Sequence, residues 1–198
     1  YYFEDTGQWP YNPTEGGLAS EDSGCAHNVN YLNRVLDRFG LEDRWAYRLT
    51  GEKWFGMPRD RRDTVINSAD LLINVSGSLQ QPEAYRSVDC LAYIDSDPVF
   101  TQIQLMNEEP AAEKHAAGIE AHDVLFSFGE CLPGTLPPTG HDWQPTRQPI
   151  VLSAWEHDKQ ARPTYTTVMN WTSYEDVEFD GHTYGQKNSE LLQFVNLP

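Results

Sequence analysis

The 198-residue sequence contains only three cysteines, and this scarcity argues against two classes of cross-linked protein. Cys25, Cys90 and Cys131 are widely separated and form no C-x-x-C pair. The pattern therefore favours neither a disulfide framework nor a zinc site. Cys90 opens an apolar run, where a small hydrophobic side chain fits well. We predict a protein of a reducing, cytoplasmic compartment.

Basic residues are also few, because 14 Lys and Arg stand against 30 Asp and Glu and leave a net charge of −16. Such a charge repels phosphate and argues against nucleic acid as a partner. The only basic cluster consists of Arg59, Arg61 and Arg62. Every apolar run is much shorter than the ~20 residues that span a bilayer, so no membrane span is predicted.

The short motifs that mark several enzyme classes are missing. The sequence has no G-x-S-x-G elbow, no G-x-G-x-x-G or Walker loop, and no H-E-x-x-H pair. These motifs supply, respectively, a serine nucleophile, a cradle for nucleotide phosphates and a zinc site. Their absence disfavours hydride and phosphoryl transfer and indicates that the chain carries no nucleotide cradle of its own.

Aromatic side chains are plentiful, and six Trp, ten Tyr and eight Phe can fill the core of one domain. Short apolar runs predict strands within 69–77 and at 90–94, 124–128, 150–154 and 165–169. Helical spacing predicts one helix over 23–39, with Ser23 as cap and Gly40 as terminator, and further helices between the strands. We predict a single Rossmann-like α/β domain over 1–198, with a doubly wound, mostly parallel sheet flanked by helices.

The first residues have the pattern of a strand end. Aromatic and acidic residues at positions 1–5 run directly into a Gly- and Pro-rich loop over 7–17. A fold seldom starts on an aromatic strand end. Either a tag or initiator was removed ahead of Tyr1, or the chain is a fragment that lost its first elements, which would be a strand and a helix.

Small, acidic and aromatic residues follow several of the predicted strands. In open α/β sheets, ligands bind beyond the carboxyl ends of the strands. Carboxylates accept hydrogen bonds from hydroxyl groups, and aromatic faces cover the apolar side of a sugar ring, so the set predicts a polyhydroxylated ligand. The candidate substrate-binding residues are Gly77, Ser78, Asp95, Gln102, Glu130, Arg147 and Trp171.

The pair Asp95-x-Asp97 has two interpretations. Two carboxylates one residue apart at a strand end can hold Mg²⁺ or Mn²⁺, which prefer oxygen ligands. Alternatively, the pair forms a turn before Pro98 and binds backbone amides or an acceptor. Acidic chains contain many such pairs, and we favour the second interpretation.

Two histidines and an arginine also carry alternative interpretations. His141 lies beside Asp142 and can act as a base near neutral pH, or it is a solvated loop residue. His122 either orients a substrate or caps a helix. Arg147, in the Pro-rich stretch 132–149, can clamp a phosphate or carboxylate, or it forms a structural ion pair.

Seven segments together resemble the N-terminal half of a bacterial GT-B type glycosyltransferase. They occur in the right order along nearly the whole chain, although none is diagnostic alone. The segments are YFEDTG at 2–7, ADLLINVSG at 69–77, YIDSDPVFTQ at 93–102, FSFGE at 126–130, TRQP at 146–149, TTVMNW at 166–171 and YGQK at 184–187.

The resemblance implies a parent enzyme of two Rossmann-like domains, in which the first binds the acceptor and the second binds most of the nucleotide-sugar. This chain would be the acceptor-side domain, inactive or nearly so alone, lacking a first strand with its Gly-rich loop and a following domain. The nucleotide-sugar is a co-substrate, and no metal or other cofactor is implied. Asp97 or His141 would be the base, Arg147 a phosphate contact, and Gln102 and Trp171 would line the cleft.

Two other functions are compatible with the sequence. One is a non-enzymatic carbohydrate-binding or interaction module, which the aromatic content supports. The other is a metal-dependent enzyme that uses Asp95 and Asp97. For the glycosyltransferase domain and for the carbohydrate-binding module alike, the expected partner is a sugar or another polyhydroxylated molecule. The sequence also allows the chain to form a homo-oligomer.

Overall fold

A computed structural model describes residues 1–14, 16–19, 22–50, 53–79, 81–106, 110–130, 138–156, 166, 168–169, 171 and 175–195. Its helices are α1 (Ala26–Asp37), α2 (Arg59–Asn67), α3 (Phe100–Met106), α4 (Pro110–Glu120) and α5 (Lys187–Glu190). Its strands are β1 (Tyr2–Glu4), β2 (Tyr11–Asn12), β3 (Gly17–Leu18), β4 (Trp45–Arg48), β5 (Trp54–Gly56), β6 (Leu71–Val75), β7 (Cys90–Asp95), β8 (Val124–Ser127), β9 (Trp143–Pro145), β10 (Val177–Phe179) and β11 (His182–Tyr184).

The larger sheet has four strands in the order β6-β7-β8-β9, and every neighbouring pair is parallel. Helical segments connect β6 to β7 and β7 to β8, as parallel neighbours require. The structure thus confirms the predicted α/β class and contains a four-stranded parallel sheet flanked by helices. No helix in the described ranges is long and apolar enough to cross a membrane.

Strand β7 lies inside this sheet and is buried on both faces. Leu91, Ala92 and Tyr93 are each less than 5% exposed. A continuous apolar run is typical of a parallel strand covered on both sides, which is why the sequence predicts this strand well. Strand β6 differs, because Leu71 and Ile73 keep about half of their surface exposed.

A smaller sheet has the order β1-β4-β5, in which β4 is parallel to β1 and antiparallel to β5. Helix α1 packs on it through a cluster that includes buried Leu36 and Trp45. The helix ends as predicted, since Gly40 has a φ of 65° and the Leu41 amide donates to the Leu36 carbonyl. Its predicted start is wrong, because a 3-10 turn over Asp22–Cys25 precedes the first helical residue.

The two sheets are connected through the residue that follows β1. The Asp5 carboxylate accepts hydrogen bonds from Nε of Arg48, at the end of β4, and from the Tyr85 hydroxyl at 2.5 Å. Phe3 also packs edge-on against the Tyr85 ring. Because Tyr85 belongs to a 3-10 turn between β6 and β7, these contacts tie the smaller sheet to the larger one.

The predicted strand at 150–154 is wrong. The structure has a 3-10 turn over Leu152–Trp155, and Ile150 and Val151 are about two-thirds exposed. An apolar run becomes a strand only where a neighbouring strand can pair with it, and none of the described strands pairs with residues 150–154. The fourth parallel strand is instead β9, inside the Pro-rich stretch, with Pro145 at the sheet edge where its missing N–H does no harm. The predicted strand at 165–169 is not found at its described positions 166, 168 and 169, where Val168 is 98% exposed; positions 165 and 167 lie outside the described residues.

The hairpin of β10 and β11 had a sequence signal that our prediction did not use. Its two-residue turn is Asp180-Gly181, and both residues have positive φ. An Asp-Gly pair between two short strands is the pattern of a type I′ hairpin. The hairpin matters for the site because it packs near α3 and supplies one wall of the cleft described next.

Candidate functional site

A cleft of about 340 Å³ lies where the carboxyl ends of β6 and β7 meet. Parallel strands end at one edge of the sheet, so Ser76 after β6 and Asp97 after β7 both line it. Helix α4 contributes His115, and the segment leading into β10 contributes Glu175. Hydroxyl, carboxylate and imidazole groups thus converge in one concave site, which is the arrangement expected of a ligand site.

Asp95 is the structural centre of this edge and is only 1% exposed. Each carboxylate oxygen accepts two hydrogen bonds, which fills the acceptor capacity of an ionised carboxylate. The donors to Oδ1 are the Thr101 hydroxyl at 2.7 Å and the Asp97 amide at 3.0 Å; the donors to Oδ2 are Nε2 of Gln102 and the Ser127 hydroxyl, both at 3.0 Å. Asp95 therefore holds the turn and two neighbouring elements in place, and it has no oxygen left for a metal or a substrate.

Gln102 was predicted to bind substrate, but the structure gives it a supporting position. Its side chain is 1% exposed. Nε2 donates to Asp95, and Oε1 accepts a hydrogen bond of 2.7 Å from the Val99 amide. The Gln102 amide is thus engaged within the protein, and its contact with Asp95 orients the carboxylate.

Asp97 forms the predicted turn and also lines the cleft. Its amide binds Asp95, and its carbonyl accepts from the Thr101 amide at 3.3 Å at the start of α3. The turn therefore orders the chain between β7 and α3. Its side chain is half-buried at the cleft wall, where a carboxylate can accept a proton or a hydrogen bond from a ligand hydroxyl.

His115 lines the same cleft and was not among the site residues predicted from the sequence. Burial lowers the pKa of His115, while the negative charge of Asp95 opposes that shift in part. Its Nε2 is buried and has no hydrogen-bond partner among the described residues. The signal was its helical spacing, because His115 lies three residues after buried Ala112 and four before buried Ile119. His115 thus places an imidazole on the inner face of α4, at the wall of the cleft.

A second pocket of about 250 Å³ adjoins the cleft, and Tyr93 and His115 line both. Burial, together with the Asp95 charge, raises the pKa of Tyr93 to about 12, so its hydroxyl stays protonated. Gly77, a predicted binding residue, lies in this pocket with a φ of 67°. A Cβ at Gly77 would come within 3.3 Å of the Tyr93 hydroxyl, so glycine keeps the pocket open.

Ser78 lies beside Gly77 but lines a different, apolar cavity. Its hydroxyl is 3.5 Å from Oδ1 of Asn74, a long contact at the limit of a hydrogen bond. The Asn74 side chain is in turn 3.0 Å from Nε2 of His122, whose Nδ1 is 3.1 Å from the Ile119 carbonyl. These contacts fix His122 as a buried residue at the end of α4, which matches the capping interpretation.

Glu130 and Arg147 bind each other. Nε and one terminal nitrogen of Arg147 lie 2.6 and 2.9 Å from the two oxygens of Glu130. Both side chains are more than half exposed, and neither lines the 340 Å³ cleft. Of the two interpretations of Arg147, the structure shows the ion pair.

His141 does not join Asp97. It precedes β9, and the register places Trp143 beside Leu125, so His141 lies at the amino edge of the sheet. Its Nε2 is 3.5 Å from a carboxylate oxygen of Glu120, at the end of α4. Asp97 lies at the opposite, carboxyl edge. Trp171 is 53% exposed and, in the described part of the chain, does not line the cleft.

Comparisons with known proteins identify no relative. No family model, no curated protein and no solved structure matches this chain. Among the described residues, no group of three or more His, Cys, Asp or Glu side chains is placed to hold a metal ion.

Proposed function

We propose that this chain is the acceptor-binding domain of a GT-B type glycosyltransferase that acts on a polyhydroxylated acceptor in the cytoplasm. The observation that carries the proposal is the cleft in which Ser76, Asp97 and His115 converge around the fully hydrogen-bonded Asp95. Its groups accept hydrogen bonds from hydroxyls and repel free phosphate. The proposal includes a doubly wound, Rossmann-like parent fold, with which the four-stranded parallel sheet is compatible.

In this reaction an acceptor hydroxyl attacks the anomeric carbon of a nucleotide-sugar bound mainly by another domain. The new C–O bond forms as the bond from the anomeric carbon to the phosphate oxygen breaks, and the nucleoside diphosphate leaves with the electron pair. Asp97 takes the hydroxyl proton as general base. His115 accepts a hydrogen bond from a second acceptor hydroxyl, and Asp95 positions the turn that carries Asp97.

Titration of the isotopically labelled chain with a panel of methyl glycosides tests acceptor binding. We expect chemical-shift changes at Asp97 and His115, with affinity at least tenfold weaker, about 1.4 kcal/mol, in Asp97→Asn and His115→Gln. His141→Gln is the matched control at the opposite edge and should bind normally. Unaffected spectra with every glycoside, or equal losses in the control, would contradict the proposal.

Isothermal titration with a nucleotide-sugar tests the division between two domains. We expect at most weak binding by this chain alone, because the described cleft presents carboxylates rather than a phosphate cradle. Strong binding would contradict the acceptor-side assignment. Glycoside binding without any transfer by the full-length protein would instead favour the carbohydrate-binding module.

A further inference from the structure

An apolar cavity of about 530 Å³ separates the two sheets, and strands of both sheets line it. On one side lie residues of β1, including Phe3, and on the other side lie Leu72 and Ile73 of β6. Among the described strands, β1 pairs only with β4 and β6 pairs only with β7. Each therefore has one edge whose N–H and C=O groups have no strand partner.

Several apolar side chains around this cavity are only partly covered. Leu71, Ile73 and Val75 alternate along β6 and are each about 50% exposed. Three large apolar residues on one face of a strand of a parallel sheet are normally covered. The floor is a buried cluster that contains Leu79 and Leu91 and that Phe3 and Leu72 join. Apolar surface and unpaired backbone thus coincide in one groove.

We infer that this groove, defined by the facing edges of β1 and β6, is the site of a single apolar β-strand that pairs with both edges. A strand that matches Leu71–Val75 has about five residues and a length of about 17 Å. Because it is buried on both faces, its side chains are apolar throughout rather than alternating. This inference goes beyond the proposed function and does not depend on it.

Strand order identifies the source of this strand. With one strand in the groove, the sheets become a single sheet with the order β5-β4-β1-groove-β6-β7-β8-β9. If the groove strand is first in the chain, then β1, β4, β6, β7 and β8 are strands two to six, and the order is 3-2-1-4-5-6. This is the doubly wound order. The occupant is therefore a segment of the same polypeptide ahead of Tyr1, joined by a crossover of a dozen residues or more.

A grafted strand tests the groove directly. The sequence Val-Ile-Val-Ile-Val, followed by a flexible Gly/Ser linker, is placed before Tyr1; a linker of about 20 residues reaches about 25 Å and gives a millimolar effective concentration. The control graft has proline at the second and fourth strand positions, which removes two donors while keeping the apolar character. Hydrogen exchange is measured at the amides of Tyr2–Glu4 and Leu71–Val75.

We expect the Val/Ile graft to slow exchange at least tenfold at both edges and the proline graft to leave it unchanged. Ile73→Lys should abolish the protection, whereas Leu152→Lys, at an exposed apolar site outside the groove, should not. The inference would be overturned by protection at one edge only or by equal protection from both grafts. It would also be overturned if sedimentation showed that the protein dimerises through the groove. An upstream reading frame that encodes no apolar run of about five residues would overturn it as well.

Discussion

The Tyr85 hydroxyl donates a hydrogen bond of 2.5 Å to Oδ2 of Asp5, a residue 80 positions earlier in the chain. Both residues are 3% exposed. Burial, together with the bond to Asp5, raises the pKa of the Tyr85 hydroxyl, so it remains a donor. Since Asp5 follows β1 and Tyr85 follows β6, this bond holds the two sheets on either side of the groove.

Tyr85→Phe should therefore destabilise the protein by about 1.5–3 kcal/mol, the range for a hydrogen bond to a charged group. The ring and its contact with Phe3 stay in place, so the loss reports the hydroxyl alone. Urea unfolding measures the change. Tyr31→Phe, at a site 55% exposed, is the control and should stay within about 0.5 kcal/mol. Equal stability of the two variants would contradict the role of Asp5 as a link.

Asp95→Asn should destabilise the fold more strongly than Asp97→Asn. An Asn amide replaces one acceptor oxygen by a donor, so it faces a donor that cannot also accept, either the Asp97 amide or Nε2 of Gln102, without a bond. We expect a loss of about 3 kcal/mol for Asp95→Asn and less than about 1 kcal/mol for half-buried Asp97→Asn. Denaturant midpoints separate the two. The reverse order would show that Asp95 is not the structural centre of the cleft.

Gly56→Ala should be among the most damaging single-methyl changes. Gly56 has a φ of 83°, and an added Cβ would lie 2.4 Å from the Trp45 carbonyl oxygen, a backbone atom that cannot move aside. Gly140 has a similar φ of 77° but no atom within 4 Å of such a Cβ. We expect about 1–2 kcal/mol for Gly140→Ala from backbone strain alone, and a clearly larger loss for Gly56→Ala. Thermal unfolding of both variants measures the difference.

Stability should fall on mild acidification because of two histidines. Burial lowers the pKa of His115 and His122 below the usual 6.5, so the unfolded chain binds protons first as pH falls. The contribution of the two neutral imidazoles to the free energy of unfolding is complete above pH 6.5. It is lost as pH falls from that value towards the lowered pKa, and the free energy of unfolding then drops by up to about 1.4 kcal/mol per pH unit for each histidine.

Urea unfolding between pH 7.5 and 5.5 measures this slope. His122→Gln and His115→Gln should each reduce it, since each removes one group with a lowered pKa. His27→Gln, at an exposed position, is the control and should leave it unchanged. A flat profile in the parent protein, or an equal effect of all three variants, would contradict the assignment.

Local patterns were enough to predict much of the fold. The apolar runs predicted β6, β7 and β8, and Gly40 marked the end of α1 because its positive φ suits glycine. The rule that ligands bind at the carboxyl ends of strands singled out Gly77 and Asp97, which line two adjoining pockets in the structure. These predictions depend on the chemistry of single residues and on short-range geometry.

Other features were decided by partners distant in the chain. The run at 150–154 is apolar but lacks a neighbouring strand among the described residues, whereas β9 forms because β8 offers an edge. Gln102 is a polar residue near the site, but burial and its bond to Asp95 make it a support rather than a cleft contact. His141 lies at the opposite edge of the sheet from Asp97 because β9 runs parallel to β8.

The sequence by itself determined the scarcity of cysteine and of positive charge, the α/β class and the acidic residues at the strand ends, because these follow from composition and local spacing. Only the tertiary structure decided that Asp95 is saturated by four donors, that His115 faces the cleft, and that β1 and β6 leave a groove between them. Those properties depend on which elements pack side by side. Contacts between residues that are about 20 to 80 positions apart in the chain cannot be predicted from the local sequence pattern.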